Sequence, residues 1–394
     1  MPLLAGRLSR PAVLASVLAL SLLSLFLLAR GTIFSSLRSY GILTIPDSYY
    51  DDDRTRISHA SSEPPATLLT RRANATFVML ARNSDADGAV RSVRDAEDRF
   101  NHAYGYPWVF LNEEPFSDDF KRRISNIVSG PVEFGVIPRD DWFQPAWIDE
   151  ARAAETRLKM KENNIIYGGA WPACDPYRNM CRFNSGFFYR HPLMLKYRYY
   201  WRVEVLSGSR PDIHLHCDMR FDPFLFMMDH KKSYGFTITL YEFRATIETL
   251  WSTVREFIQK HPEHIAEDNA LDFLSDDGGK TYNLCHFWSN FEIADMDLWR
   301  GPAYTAFFDY LDAKGGFYYE RWGDAPVHSI AAALFTRKRD IHFFREIGYE
   351  HNPYIHCPTE NELWERGKCA CNQARSFDYD GYSCLSRWER SIGQ

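Results

Sequence analysis

Residues 75–111, ATFVMLARNSDADGAVRSVRDAEDRFNHAYGYPWVFL, contain the pattern that decides the fold class. The apolar run Ala75–Ala81 is typical of a buried strand, and Trp108–Leu111 is a second run of the same kind. Between them, the spacing of the apolar residues predicts a helix over Val90–Phe100. A strand, a helix and a second strand at this spacing indicate a βαβ unit with a parallel sheet.

A polar loop, Arg82–Asp85, follows the first predicted strand. Ligands of open parallel sheets bind beyond the carboxyl ends of the strands. We therefore expect Arg82, Asn83 and Asp85 to lie near a bound nucleotide.

The same alternation of elements continues downstream. Strands are predicted over Val132–Ile137, Asn164–Tyr167 and Phe236–Leu240. Helices are predicted over Pro145–Lys161 and Thr249–Lys260. The sequence thus predicts one mixed α/β domain of about 320 residues.

Two later segments place acids among aromatic rings. Phe287–Glu292 has the sequence FWSNFE, and Glu320–His328 has the sequence ERWGDAPVH. An amphipathic helix is predicted between them, with Ala303 and Phe307 on one face and Gly315 at its end. Acids among rings indicate a carbohydrate-binding cleft. The alternative is a buried acid whose oxygens are satisfied by an arginine or by backbone N–H groups.

The overall composition narrows the class of function. A net charge of −6 over 394 residues, without a basic patch, argues against a nucleic-acid-binding protein. Aromatic residues make up 15% of the chain, and such rings both fill cores and stack on sugars. The Walker A, GxGxxG, HExxH and GxSxG patterns do not occur in the sequence. Their absence excludes the commonest NTPases, dehydrogenases, zincins and α/β-hydrolases.

The N-terminal segment PAVLASVLALSLLSLFLLA (11–29) carries no charge and is long enough to span a bilayer as a helix. A cleaved signal peptide is the alternative, but this run is longer than a typical apolar h-region. The sequence favours a cytosolic tail (1–10), a transmembrane signal-anchor (11–29), a luminal stem (30–72) and a globular domain (73–394). Eight cysteines and the sequon Asn74-Ala75-Thr76 suit an oxidising lumen.

All eight cysteines follow the predicted anchor. They are Cys174, Cys181, Cys217, Cys285, Cys357, Cys369, Cys371 and Cys384. No CxxC pair occurs and Cys369-Ala370-Cys371 is too tight for a zinc knuckle, so disulfides are favoured over a metal. Their connectivity stays open, with Cys174 and Cys181 as one candidate pair.

Acids and histidines are the remaining candidates for chemistry. They are Glu204, Asp218, Asp222, Glu292, Asp324, His328 and His351. A hard divalent cation takes carboxylate oxygens, and manganese in particular also accepts imidazole. For each isolated histidine, the alternative is a structural residue with satisfied hydrogen bonds.

Several long motifs follow one another along the chain and carry a family resemblance. They are Ala75–Asn83, Tyr106–Leu111, Tyr177–Phe188, Tyr199–Glu204, Phe287–Asp295, Tyr319–His328 and Gly348–Tyr354. In content and order they resemble the fungal α-1,2-mannosyltransferases of glycosyltransferase family 15.

The resemblance implies an enzyme of the Golgi membrane with type II topology and a luminal catalytic domain. It implies Mn²⁺-dependent, retaining transfer of mannose from GDP-mannose to the 2-hydroxyl of an α-mannoside. The implied fold is an α/β fold of the GT-A type, with a mixed, mostly parallel sheet flanked by helices. An N-linked, an O-linked and a lipid acceptor all stay open.

Matching the family's motifs residue by residue gives expected roles. Glu204, in Trp-Arg-Val-Glu, and His351, in His-Asn-Pro-Tyr, correspond to the metal contacts. Glu292 corresponds to the candidate nucleophile, which either attacks the anomeric carbon or only stabilises oxocarbenium charge. Asp324 corresponds to an acid that binds the acceptor or takes its proton, and Tyr177 to a tyrosine near the reacting centre.

Two further residues have expected roles, and the sequence departs from the family's motifs at two places. Arg82 is a candidate contact to the donor phosphate or base, whereas His328 carries no family role and is assigned a structural one. The insertion Val205–Arg210 follows the proposed ligand Glu204, and Ala170–Asp175 is longer than the family pattern. The insertion motivates an alternative, a sugar-binding or GDP-binding module without catalysis. A glycoside hydrolase with a carboxylate pair is a third hypothesis.

Overall fold

The computed structural model describes residues 71–165, 174–205 and 213–393. The predicted tail (1–10), the signal-anchor (11–29) and nearly all of the stem (30–72) lie outside these ranges, as do residues 206–210 of the insertion and residues 170–173. Within the described ranges, no helix combines the length and the apolar character that a bilayer crossing requires.

The strands of the described chain form three sheets. They are β1 (Ala75–Leu80), β2 (Trp108–Asn112), β3 (Val132–Val136), β4 (Tyr199–Val203), β5 (Ile213–Leu215), β6 (Tyr234–Phe236), β7 (Thr239–Tyr241), β8 (Cys285–Phe287), β9 (Phe291–Asp295), β10 (Ile341–Phe343), β11 (Tyr349–His351) and β12 (Tyr354–His356).

Helices pack around these sheets. They are α1 (Ala86–Ala96), α2 (Asp118–Ser125), α3 (Arg139–Trp142), α4 (Glu150–Glu162), α5 (Cys174–Gly186), α6 (Pro223–Asp229), α7 (Leu250–Lys260), α8 (Leu271–Leu274), α9 (Met296–Arg300), α10 (Pro302–Lys314), α11 (Gly316–Tyr319), α12 (Asp324–Phe335), α13 (Asn361–Arg366) and α14 (Leu385–Ser391). A π turn at Glu97–Asn101 and a last turn at His102–Tyr104 prolong α1.

The largest sheet has seven strands in the order β10-β6-β9-β4-β1-β2-β3. Neighbouring strands run parallel except around β9, which is antiparallel to both β4 and β6. The chain adds β2 and β3 on one side of β1 and later places β4 on the other side. Strands β1 and β4 therefore flank a topological switch point, where open α/β sheets bind ligands. The predicted mixed, mostly parallel α/β architecture is confirmed.

Strand β1 is buried because its residues are apolar on both faces. Phe77 stacks on Trp108 of β2 with the ring centroids 4.4 Å apart, and both side chains are 0% exposed. Full burial of such a ring contributes roughly 2–3 kcal/mol. The indole Nε1 of Trp108 donates to Glu97 at 2.7 Å, so the buried polar group is satisfied.

The helix predicted between the two acidic segments is α10. It buries Tyr304, Phe307 and Leu311. It ends at Gly315, which has a φ of 72°, a left-handed value that glycine adopts without strain.

The predicted strand Asn164–Tyr167 is wrong in the part that the structure describes. Asn164 has a φ of 54° and belongs to the turn after α4, and residues 166–167 lie outside the described ranges. Helix α4 starts later than predicted because the Asp149 carboxylate accepts from the N–H groups of Ala151 and Arg152 and caps the helix there.

The predicted strand Phe236–Leu240 is divided between two sheets. Its first part belongs to β6, which pairs with β9 and β10 in the large sheet. Its second part belongs to β7, which pairs with β8. The apolar run is continuous in the sequence, but the backbone partners change at Thr237 and Ile238.

Three disulfides tie the C-terminal segment to the fold, which confirms the predicted use of the cysteines. They are Cys217–Cys369, Cys285–Cys384 and Cys357–Cys371. Cys181 is a free, buried thiol, so the candidate pairing of Cys174 with Cys181 is wrong.

Candidate active site

Strands β4 and β9 bring the predicted catalytic acids together beside the switch point. Their antiparallel register sets Arg202 opposite Glu292. Asp324 is the first residue of α12, and its Oδ2 accepts from Nη1 of Arg202 at 2.5 Å. The fold therefore places the two predicted acids next to one arginine.

Glu292 is fully buried, and its carboxylate accepts from two tyrosines. The hydroxyl of Tyr200 donates at 2.6 Å and that of Tyr234 at 3.0 Å. Burial, followed by the negative charge of Glu292, raises the pKa of both hydroxyls well above the ordinary tyrosine value, so both remain donors. The indole of Trp299 donates to the Tyr200 hydroxyl oxygen at 2.9 Å, which directs that hydroxyl's own proton to Glu292.

His328 is the third partner of Glu292, and its full burial with partners at both ring nitrogens fits the structural role assigned to it. Its Nδ1 lies 3.2 and 3.1 Å from the two carboxylate oxygens, and its Nε2 lies 3.0 Å from the carbonyl oxygen of Asn184. Both neighbours are acceptors, so the hydrogen-bond network assigns a proton to each ring nitrogen. His328 and Glu292 then form an ion pair in which both side chains are 0% exposed.

Arg202 connects this buried pair to the acidic rim of the site. Its side chain is 11% exposed and contacts Asp324 on one side and Glu204 on the other. Burial lowers the pKa of Arg202, but Asp324, Glu204 and Glu292 outweigh burial and raise it above its ordinary value. The guanidinium therefore stays charged.

Asp324 is 5% exposed and still ionised. Burial alone would raise its pKa, but the charges of Arg202 and His328 and the hydrogen bonds from Arg202 and Ser289 lower it overall. Ser289 Oγ donates to Oδ2 at 2.7 Å, the same oxygen that Arg202 contacts. Among the described residues, no side chain donates to Oδ1.

Tyr177 lies on α5 beside the same acid. The guanidinium carbon of Arg321 is 5.2 Å from the centre of its ring. Burial raises the pKa of Tyr177 well above its ordinary value, and the charges of Asp324 and Glu242 add to that effect. The predicted tyrosine is thus a neutral hydroxyl near Asp324.

Arg82 follows the carboxyl end of β1, at the edge where a nucleotide was expected. Its Nε lies 3.4 Å from Glu113, which follows β2, and 43% of its side chain is exposed. The guanidinium is therefore near the switch point and accessible to an anionic ligand. The role of Arg82 stays a prediction.

Glu204 and His351, the predicted metal contacts, flank the same undescribed segment. Glu204 follows β4, whereas His351 on β11 pairs with Ile213, the first residue after residues 206–212. Burial, and then the charge of Glu204, raises the pKa of Tyr349, which places Glu204 close to β11. One oxygen of Glu204, Oε1, accepts from Arg202, and within the described chain no side chain donates to the other.

The donor set of these two residues is one carboxylate and one imidazole, which suits Mn²⁺. His351 has its ring 4.7 Å from that of Trp288. In the part of the chain that the structure describes, one group of three potential ligands comes together, His261, Glu263 and His264 after α7, and it includes neither predicted contact.

A pattern in β4 identifies residues that the motif-based assignment missed. Tyr200 and Arg202 alternate along the strand and therefore point to one face. Tyr200 donates to Glu292, and Arg202 donates to Asp324 and Glu204. Asn184 was also missed. Its Nδ2 is buried without a partner among the described residues, and Asn184 lines a small cavity together with Arg202 and Leu80.

Comparison with known proteins is consistent with this arrangement. Residues 49–392 match the family model described as glycolipid 2-α-mannosyltransferase. The α-1,2-mannosyltransferase KTR1 of Saccharomyces cerevisiae is 55% identical over 317 residues, which cover 80% of this chain and 78% of that protein. The O-glycoside α-1,2-mannosyltransferase omh1 of Schizosaccharomyces pombe is 50% identical over 327 residues, covering 83% and 81%.

Two crystal structures are similar over most of the chain. The mannosyltransferase Ktr4p of S. cerevisiae in complex with GDP has 39% identity and a TM-score of 0.77, covering 84% of this chain and 87% of its own. Core-mannan synthase A of Aspergillus fumigatus, in an Mn/GDP form, has 36% identity and a TM-score of 0.73, covering 82% and 86%.

Proposed function

Because the chain belongs to glycosyltransferase family 15, the glycolipid 2-α-mannosyltransferases, we propose that it transfers mannose from GDP-mannose to the 2-hydroxyl of an α-mannoside. The observation that carries this proposal is the charged cluster at the switch point, in which Arg202 joins Glu204 and Asp324 beside the buried Glu292. The names of the relatives support mannose transfer and the linkage, and the GDP complex of Ktr4p supports a GDP-linked donor. The fold is then of the GT-A type, which the parallel β1–β2–β3 half supports.

The donor binds across the carboxyl ends of β1 and β4. The unpaired Nδ2 of Asn184 lies in this region and suits a sugar hydroxyl, because a buried donor without a partner is costly. Arg82, at the end of β1, neutralises the diphosphate or contacts the base.

Glu204 and His351 would hold Mn²⁺, which the Mn/GDP form of core-mannan synthase A supports. When bound, such an ion neutralises the diphosphate and acts as a Lewis acid toward the leaving group. The arginine contact leaves one oxygen of Glu204 for the ion. Glu204→Gln should weaken Mn²⁺ binding, measured by electron paramagnetic resonance, by roughly tenfold or more. Binding as strong as that of the wild type would contradict this role.

The acceptor lies on the Asp324 side of Arg202. An ionised acid with a lowered pKa is a weak base, so Asp324 orients the acceptor hydroxyl through Oδ1. Tyr177 borders the same position as a neutral hydroxyl.

Glu292 stabilises positive charge on the sugar and does not form a covalent bond. Its oxygens already accept from Tyr200, Tyr234 and His328, and its side chain has no exposed surface. The bond from the mannose C1 to the diphosphate oxygen breaks, and its electron pair leaves with GDP. The acceptor oxygen bonds to C1 on the same face, and its proton passes to the departing diphosphate.

We infer that the enzyme acts in the Golgi lumen on glycans of glycoproteins and is anchored by residues 11–29. Three disulfides support an oxidising compartment. Protease protection of the C-terminal domain in sealed Golgi vesicles tests the topology. Cleavage of that domain without detergent would contradict it.

The decisive experiment combines the full-length protein in detergent with GDP-mannose, Mn²⁺ and methyl α-mannoside. We expect GDP and an α-1,2-linked disaccharide, identified by NMR. GDP binding without any transfer would instead support the non-catalytic module. Release of mannose from an α-mannan without donor and metal would support the hydrolase.

A further inference from the structure

Four half-buried aromatic side chains form a row on the surface next to the candidate site. The row consists of Trp288, Tyr354, Tyr382 and Tyr241. Successive ring centroids are 5.6, 6.1 and 5.8 Å apart. Aromatic side chains that only fill a core are normally buried, and a contiguous, partly exposed apolar patch indicates a binding surface.

Both ends of the aromatic row reach the acceptor side of the site. At one end, Trp288 precedes Ser289, whose hydroxyl donates to Asp324 at 2.7 Å. At the other end, Tyr241 precedes Glu242, whose carboxylate lies against the turn before Asp324. A Cβ atom placed on Gly323 would be 3.7 Å from Oε2 of Glu242.

The backbone beneath the row is held firmly. Tyr241 is the register partner of Cys285, which forms a disulfide with Cys384. The Tyr382 hydroxyl donates to the backbone oxygen of Tyr241 at 2.8 Å. Rings fixed in this way lose little conformational freedom when a ligand stacks on them, which favours binding.

We propose that the aromatic row binds additional mannose residues of the acceptor glycan, beyond the mannose that receives the new linkage. The proposal rests on the proposed function, because the row is assigned to the acceptor by its continuity with Asp324. A pyranose ring has an apolar face that stacks on aromatic rings, and tyrosine hydroxyls at the rim can bind its hydroxyls. Phe243, which is 58% exposed, follows Tyr241 and Glu242 in the chain.

The guanine base of the donor is the competing occupant of these rings. Trp288 does contact His351, the proposed metal contact, at 4.7 Å. The base is nevertheless disfavoured because it is expected at β1 and Arg82 of the seven-stranded sheet, whereas Tyr241 and Tyr354 belong to the two smaller sheets. The two occupants give different kinetic results. If the row binds the acceptor, a substitution in the row changes the KM for the acceptor. If the row binds the guanine base, the substitution changes the KM for GDP-mannose.

The test compares methyl α-mannoside with an α-1,2-linked mannotriose as acceptors of the full-length enzyme. For the wild type, we expect a KM about tenfold lower for the trisaccharide. Tyr382→Ala and Phe243→Ala should bring the ratio of the two KM values toward one, whereas Tyr382→Phe, which keeps the ring, should preserve the ratio. Tyr379→Ala is the control, because Tyr379 is 63% exposed and outside the row.

Equal KM values for both acceptors in the wild type would overturn the proposal, as would a rise in the KM for GDP-mannose alone in the row variants. Direct binding separates this proposal from the proposed function. An enzyme that transfers to no mannoside refutes the function, yet calorimetric binding of mannotriose that is lost in Tyr382→Ala would still support the row. Binding that is unchanged in that variant, with the fold intact by circular dichroism, would overturn the row.

Discussion

The imidazole of His328 and the carboxylate of Glu292 form an ion pair that has no contact with solvent, with Nδ1 3.1 Å from Oε2. The ring of His328 also stacks on Trp299 at 4.4 Å, so its orientation is fixed from two directions. Tyr200 and Tyr234 supply the remaining donors to the carboxylate. The carboxylate of Glu292 is therefore held in one orientation by these three partners.

Replacement of His328 by glutamine removes the positive partner and leaves a buried carboxylate. Breaking a buried ion pair from one side costs about 3–5 kcal/mol. We expect His328→Gln to lose this much free energy of unfolding in urea. His230→Gln, at an exposed position, should change it by less than about 0.5 kcal/mol. A comparably small loss for His328→Gln would show that Glu292 does not depend on the imidazolium.

Replacement of Glu292 by glutamine removes the negative charge that opposes the oxocarbenium ion. We expect kcat to fall by roughly 10²–10³-fold, with GDP affinity retained in calorimetry. Glu256→Gln, at a side chain that is 50% exposed, is the control. A wild-type kcat in Glu292→Gln would refute the assigned role.

Asp324→Asn tests whether this acid orients the acceptor. Loss of a charge-assisted hydrogen bond costs roughly 1.5–3 kcal/mol, so kcat/KM for the acceptor should fall about 10- to 100-fold. GDP affinity should stay within about twofold of the wild type, because the donor contacts lie on the other side of Arg202. Asp276→Asn changes a side chain that is 57% exposed and serves as the control. An acceptor kcat/KM equal to that of the wild type would exclude Asp324 from the acceptor site.

His356 should make the stability of the disulfide-linked C-terminal segment pH-dependent. Burial lowers the pKa of His356, but Asp378, with both carboxylate oxygens 2.9 Å from Nδ1, outweighs burial and raises the pKa overall. A histidine whose pKa is raised by folding stabilises the folded state fully at pH values below its unfolded pKa of about 6.5. This stabilisation is lost as the pH rises through the folded pKa.

We therefore expect Tm to fall as the pH rises above about 6.5 and Asp378→Asn to flatten this dependence. Asp309→Asn, whose side chain is 63% exposed, should leave the dependence as it is in the wild type. The same slope in Asp378→Asn and the wild type would contradict the assignment to this pair.

The long-range disulfide Cys285–Cys384 should stabilise the protein more than the local disulfide Cys357–Cys371. The two bridges span sequence separations of 99 and 14 residues. Loop-closure entropy gives about 4.7 and about 3 kcal/mol for loops of these sizes. Double serine variants of each pair, compared by urea unfolding, should show this order. An equal or reversed order would contradict the entropic explanation.

Several elements of the fold were predictable from local pattern. The apolar runs at β1 and β2 and the periodic residues of α10 each specify one element without long-range information. The failures occur where local pattern is ambiguous. The continuous apolar run over Phe236–Leu240 carries no signal that its backbone partners change from β9 to β8.

Matched motifs gave the expected roles of Glu204, Glu292, Asp324 and His351. Only the folded structure showed which side chains surround each of them. Nothing local to His328 predicts that its ring reaches Glu292, because α12 packs on strands that are distant in sequence. The alternation of Tyr200 and Arg202 was a usable signal, since alternate strand residues share a face.

By itself, the sequence determined the type of most elements, the disulfide-rich C-terminal segment and the family of this protein. These properties follow from periodicity, cysteine content and motif order, which are read along the chain. Only the tertiary structure decided that Glu292 is buried under three donors, that Arg202 links Asp324 to Glu204, and that four aromatic rings line up beside them. Those relationships depend on strand register and on packing between distant segments, where short-range hydrogen bonds and ionic contacts decide which side chains meet.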